Sequence, residues 1–159
     1  MAVTDRMTSQ SNHILANIRD RKDLTGQEKL KKIFKDSIMR PVQDEIFTVA
    51  PDLHDNLRLL FSILRETMDE AAPNYILPII MEGIEDGSIQ TEHPKALAEL
   101  IVLTANIWMT PMIFDNTPEE AYEKFMVFGQ LMKGFGLDVL DDELLKRLQE
   151  LAVLYQKNK

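Results

Sequence analysis

The chain has 159 residues, no cysteine and a formal net charge of −8. A chain of this length buries about two-thirds of its unfolded surface and can hold one core; no apolar run approaches the ~20 residues that span a bilayer, and neither disulfides nor thiol chemistry are available. No basic start followed by an apolar stretch marks a secretory leader, so the expectation is a bacterial-type cytoplasmic protein with no membrane partner. The charge is uneven: residues 1–40 hold nine Lys/Arg against five Asp/Glu, and the remaining 119 hold nine against twenty-one. Phosphate neutralisation needs Lys and Arg, which leaves the acidic part a poor binder of nucleic acid.

Helical periodicity dominates and no segment alternates as a half-buried strand does, so the expected fold class is all-α. A first helix covers about Val3 to Arg19, with Met7, Ile14, Leu15 and Ile18 at mixed helical spacing, and Arg19-Asp20-Arg21-Lys22-Asp23 forms a charged turn. Thr25-Gly26-Gln27-Glu28 matches the capping box that starts a helix. Leu30, Ile33, Phe34, Ile38, Val42 and Ile46 extend its apolar face to about Phe47, with a kink at Pro41 and a break at Ala50-Pro51-Asp52. A third helix carries Leu57, Leu60, Phe61, Leu64 and Met68. Pro73 and Pro78 interrupt the helical pattern beyond Met68, and a proline restricts the residue before it, which predicts a boundary near Ala71-Ala72-Pro73.

A short helix then runs through Ile76, Leu77, Ile80 and Ile84, and Gly87 supplies a left-handed stop. Pro94 begins the next helix at a position where its missing amide hydrogen costs nothing. That helix carries Leu97, Leu100, Ile101, Leu103, Ile107, Trp108, Met109 and Met112 on most of its circumference, which predicts a central, buried element. Thr117-Pro118-Glu119-Glu120 is a second capping box, opening a helix through Tyr122, Phe125, Met126, Phe128 and Met132 that ends at Gly134 to Gly136. Asp141 caps the last helix, with Leu140 placed to staple onto Leu145 and a seam of Leu144, Leu148, Leu151 and Tyr155.

Chemistry has no foothold in this pattern. There is no H-E-x-x-H, no E-x-x-H pair, no Gly-rich phosphate loop and no G-x-S-x-G. His13, His54 and His93 lie on separate segments; His54 between Asp52 and Asp55 reads as a solvated helix start rather than a metal site, and His93 as a helix-start residue. The acidic pairs Glu119-Glu120 and Asp141-Asp142 complement helix dipoles, and Glu85-Asp86 sits at a helix end. No enzyme, cofactor or metal is expected.

Two surfaces remain. The last two helices have broad apolar faces, and pairing with a second copy is an economical way to bury them. The expected isologous homodimer uses a four-helix interface of Tyr122, Phe125, Met126, Met132, Leu144, Leu148, Leu151 and Tyr155; the competing reading is that these residues close the chain's own core. Methionines and aromatics concentrated on proline-kinked helices also suit an apolar cavity. Its expected lining is Phe34, Met39, Phe61, Leu64, Tyr75, Thr104, Trp108 and Met112, with plain core filling as the alternative for each.

The stretch Glu82-Gly83-Ile84-Glu85-Asp86-Gly87-Ser88-Ile89, a polar connector, then His93-Pro94-Lys95-Ala96-Leu97-Ala98-Glu99-Leu100, resembles the junction in the middle of the regulatory domain of TetR/AcrR-family transcriptional repressors. Residues 26–156 match that order of elements. The resemblance implies a bundle of about six to seven helices, a linking helix over residues 1–22, and a ligand-binding and dimerisation domain over 23–159. It further implies a small hydrophobic effector and a homodimer made by the last two helices. Contact with DNA would come only through a helix-turn-helix domain, for which these residues leave no room. Many members of the family carry Asp where this chain has His93. Coupling would run through packing of the first helix against residues 86–94. The rival reading is a stand-alone dimerisation module that titrates a partner regulator.

Overall fold

Helix α1 (Ala2–Arg19) opens the computed structural model, which describes residues 2–39, 53, 55–110 and 113–157. After the charged turn, α2 (Gly26–Ile38) starts where the capping box puts it: the Thr25 hydroxyl accepts from the Glu28 amide, and the Glu28 carboxylate accepts from the Thr25 amide at 2.8 Å. The continuation through Val42 and Ile46 to Phe47, the kink at Pro41, the break at Ala50-Pro51-Asp52 and the His54 cluster lie outside the described residues.

From Leu57 to Asp86 the chain runs as one rod in three parts: α3 (Leu57–Arg65), a π-helical segment π1 (Glu66–Ile76) and α4 (Leu77–Asp86). This corrects the boundary expected at Ala71-Ala72-Pro73. Pro73 removes a donor, yet the rod widens instead of stopping. Its bonds become i→i+5, as in Leu77 N–H to the Ala72 carbonyl.

Gly87 ends the rod at φ 81, in the left-handed region, as the sequence predicts. Helix α5 (Pro94–Leu103) comes next and buries Leu97, Ala98, Ile101 and Val102. The apolar helix predicted to run on to Met112 changes register at Thr104 and becomes a second π segment, π2 (Thr104–Trp108), with Met109 N–H on the Thr104 carbonyl at 3.0 Å. The side chains give the reason. Thr104 Oγ1 donates to the Leu100 carbonyl at 2.6 Å, Asn106 Nδ2 to that of Val102 at 2.9 Å, and Thr110 Oγ1 to that of Asn106 at 2.6 Å. Each takes a carbonyl that the α-helical ladder uses. Met112 lies outside the described residues.

Helix α6 (Pro118–Gly134) begins at the Thr117–Glu120 capping box, and α7 (Asp142–Lys157) begins at Asp141, whose carboxylate accepts from the Leu144 amide at 2.9 Å. The fold is thus an all-α bundle. One continuous core joins Leu30, Ile33 and Phe34 of α2 to Ile76, Ile79 and Ile80 of the rod, Ile101 of α5, Phe128 of α6 and Leu148 of α7. Leu140 and Leu145 both pack against it, consistent with their staple positions.

Candidate functional site

The junction between α4 and α5 is densely bonded, and its partner is α2. The first amides of a helix have no intrahelical acceptor. Here three are satisfied in succession: Gly26 N–H donates to Asp86 Oδ2 at 2.8 Å, Gln27 N–H to Ser88 Oγ at 3.1 Å, and Glu28 N–H to Thr25 Oγ1 at 3.3 Å. Two of the three acceptors come from about sixty residues downstream. Asp86-Gly87-Ser88 therefore stops α4 and caps α2 at once, with Gly87 left-handed so that the Ser88 amide can also reach Asp86 Oδ1 at 2.8 Å.

The Ser88 hydroxyl and the Gly26 and Ser88 amides hold the Asp86 carboxyl below its ordinary value, and its charge complements the α2 dipole. Gly26 and Gly83 let the two backbones touch: a Cβ on Gly26 would lie 2.4 Å from Gly83 Cα. Sequence reasoning treats the junction as a local stop and start and misses this role. The available signal is a polar Asp-Gly-Ser stop opposite a capping-box glycine.

Lys29 lies beneath this contact with no exposed surface. Its ammonium donates to the Arg19 carbonyl at 2.8 Å and pairs with Glu82. The end of α1, the start of α2 and α4 are thereby fastened through one cation.

Helix α1 itself packs on α2 and π1. Asn12 Nδ2 donates to Glu66 Oε1 at 2.9 Å, Arg19 Nη1 donates to the Asn74 carbonyl at 3.0 Å, and the guanidinium lies 5.5 Å from the centre of the Tyr75 ring. Asp20 holds the same guanidinium from the other side through Nε and Nη2 at 2.8 and 3.0 Å.

The residues expected to line one cavity have varied surroundings among the described residues. Phe34 is in the core, tilted 57° against Phe128 at 5.3 Å. Phe61 is 62 % exposed, Met39 caps the surface end of α2, and Leu64 is half-buried. Tyr75 carries Arg19, and Thr104 is buried with its hydroxyl spent on its own helix. Trp108 is partly exposed and shares the Lys124 ammonium with Phe114, at 5.4 and 4.4 Å from the two rings. Burial pushes the Lys124 amine down, partly opposed by the Glu120 charge, and the ammonium donates to the Trp108 carbonyl at 3.1 Å. A shallow depression of about 350 Å³ over His93, Pro94, Lys95, Ala96 and Glu99 involves none of the eight.

The expected interface also divides. Phe125, Met132, Leu144, Leu148 and Leu151 are buried within their own chain by the pairing of α6 with α7 and the core beyond it, so they are corrected from partner-facing to core residues. Tyr122 is half-buried, Met126 is open, and the Tyr155 side chain is outside the described residues. The apolar surface left on α6 is Met126, Val127, Leu131 and Phe135. Val127, Leu131 and Phe135 recur at intervals of four and share one face.

Among the described residues no group of acidic or histidine side chains is placed to hold a metal ion, and no helix is long and apolar enough to cross a membrane. No family model, curated protein or solved structure matches the chain.

Proposed function

We propose that this chain is the effector-sensing and dimerising part of a TetR-like transcriptional repressor. A small hydrophobic effector binding beside the proline-bearing rod would change how a helix-turn-helix domain outside these residues sits on DNA. The observation that carries the reading is the two-faced α6: one face closes the chain's own core and the other leaves Met126, Val127, Leu131 and Phe135 uncovered. A partly apolar outer face on the penultimate helix suits an isologous pair around a two-fold axis. The order of elements, with α1 lying along the rod ahead of the sensing helices, supports the same reading.

The test has two parts. Light scattering across a concentration series measures stoichiometry, and a thermal-shift screen against apolar small molecules seeks the effector, since a ligand that binds only the folded form raises its apparent stability. A monomer at every concentration, together with no stabilising compound, refutes the proposal. The same uncovered face also serves the rival reading, a module that titrates a partner regulator. Exchange of subunits with a complete regulator and no effector response would favour that rival.

A further inference from the structure

The segment π1 is where three otherwise separate elements meet. Helix α3 runs directly into it, and none of the nine residues of α3 is buried; α5 packs along it; and α1 is fixed to it at two points. Glu66, which receives Asn12, is its first residue, and Asn74, which receives Arg19, is its ninth. The second point depends on a proline. In an α-helix the Asn74 carbonyl would accept from residue 78, but Pro78 has no amide hydrogen, and the guanidinium of Arg19 takes that acceptor from outside the rod.

The two sides of this contact differ in how firmly they fix distance. Asn12 and Arg19 are seven residues apart on a regular helix, two turns and ~10.5 Å along one face. Glu66 and Asn74 are separated by i→i+5 bonds with no side-chain cap at the start of the segment. Exchanging that register for i→i+4 turns and lengthens the segment, because each converted residue then follows the ~3.6-residue turn and ~1.5 Å rise of an α-helix in place of the wider π turn. Helix α1 can keep both points in one register only. Isolated π turns inside helices are rare and concentrate at functional positions.

We propose that Glu66–Ile76 is a two-register switch read by α1: α1 is docked while the segment is π-helical and released when it becomes α-helical, with the α2–α4 junction unchanged in both. Its use, passing an effector signal toward DNA, rests on the proposed function. The switch itself is a property of this chain and is tested without effector.

Hydrogen exchange by mass spectrometry on the whole chain reads the docking of α1. Deleting Glu70 removes one exposed residue between the two contact points, whereas deleting Ser62 shortens α3 and leaves their spacing intact. The expected result for the Glu70 deletion is exchange across residues 11–19 raised about tenfold, the order expected from losing a charge-assisted hydrogen bond, and matching an N12A/R19A double variant. Protection in 27–34 and 79–85 should persist, and the Ser62 deletion should leave α1 as in the parent chain. Unchanged α1 exchange in a folded Glu70 deletion, or equal loosening by the Ser62 deletion, overturns the proposal. Should the Glu70 deletion not fold, Pro78→Ala decides. It gives the Asn74 carbonyl an i+4 donor that competes with Arg19, so faster exchange in α1 supports the switch and unchanged exchange refutes it. A missing effector or a monomeric chain would defeat the functional reading and leave these outcomes intact.

Discussion

Replacing Gly26 by alanine tests whether the α2–α4 contact sets the frame of the molecule. The new Cβ would stand 2.4 Å from Gly83 Cα, 2.5 Å from Gly83 N and 2.6 Å from the Ile79 carbonyl, all backbone atoms, while ordinary contact begins at 3.4 Å. Helix α2 must therefore retreat by about 1 Å (3.4 minus 2.4). The same retreat stretches the Gly26–Asp86 bond from 2.8 Å and the Gln27–Ser88 bond from 3.1 Å, to ~3.8 and ~4.1 Å, past hydrogen-bonding reach. Overpacking costs about 1–3 kcal/mol. Loss of the two bonds adds about 1–3 kcal/mol after their solvent exposure is allowed for, and alanine's helix preference returns up to ~1 kcal/mol. The expected loss is about 3 kcal/mol, a fall in Tm of ~6–12 °C at this size.

Gly134→Ala is the control, because nothing lies within 4 Å of its added Cβ and its φ is ordinary; it should be neutral or slightly stabilising. Gly83→Ala should fall between them, since its Cβ would meet the Ile89 side chain, at 2.5 Å from Cδ1, rather than backbone. Urea unfolding followed by far-UV circular dichroism, with unchanged m, ranks the three. A Gly26→Ala midpoint equal to that of Gly134→Ala refutes the argument that this contact fixes the helix separation.

Lys29→Ala should cost about 2–4 kcal/mol in the same assay, because it leaves the Arg19 carbonyl and Glu82 without their cation, while Glu82's access to water keeps the loss below that of a fully buried pair; Lys29→Met should recover part of it by restoring the buried stem. On α6, Leu131→Glu should halve the mass measured by light scattering if the proposed dimer forms there, whereas Leu148→Ala should lose about 2–4 kcal/mol of stability and leave the mass unchanged. Below about pH 4 the junction should weaken. Asp86 has a folded value held below the unfolded 3.8, so its contribution is complete above that value and is lost as pH falls through the folded one. Asp86→Asn should lower stability near neutrality, where the carboxylate contributes fully, and flatten that acid limb, as measured by unfolding midpoints between about pH 6 and pH 2.5.

Local signals are legible where a helix end is written in adjacent residues. Thr25 with Glu28, Thr117 with Glu120, and Gly87 before Pro94 each satisfy their own backbone, and the structure places helix ends there. The α3 cap at Asn56, which accepts from Leu59 N–H at 3.1 Å, is a signal of the same kind that the apolar pattern of that helix does not use. The parts that were not legible depend on distant partners. Pro73 looks like a boundary until the helix on either side is held by α5 and α1, after which widening to i→i+5 costs less than breaking. Periodicity marks Phe125, Met132, Leu144, Leu148 and Leu151 as apolar but cannot say which neighbour covers them, and their own chain does. Periodicity likewise does not separate Phe34 from Phe61: both share helical spacing with their neighbours, and they end in the core and in solvent.

The distribution of hydrogen bonds divides the molecule by how easily its parts can move. The α2–α4 junction is held by backbone donors on side-chain acceptors, by a glycine contact that allows no side chain between, and by a buried lysine; none of these can slide without breaking. The docking of α1 on the rod uses two side chains seven residues apart, one of them on a carbonyl that Pro78 leaves open. A fixed junction beside an adjustable contact confines change to α1, because any turn of π1 is taken up where the bonds are fewest. Reinforcing the junction should therefore raise global stability and leave α1 exchange alone, while changes between Glu66 and Asn74 should do the reverse. If Gly26→Ala and the Glu70 deletion loosened α1 and the core together and in proportion, the molecule would be one cooperative unit, and the division drawn from its bonds would be wrong.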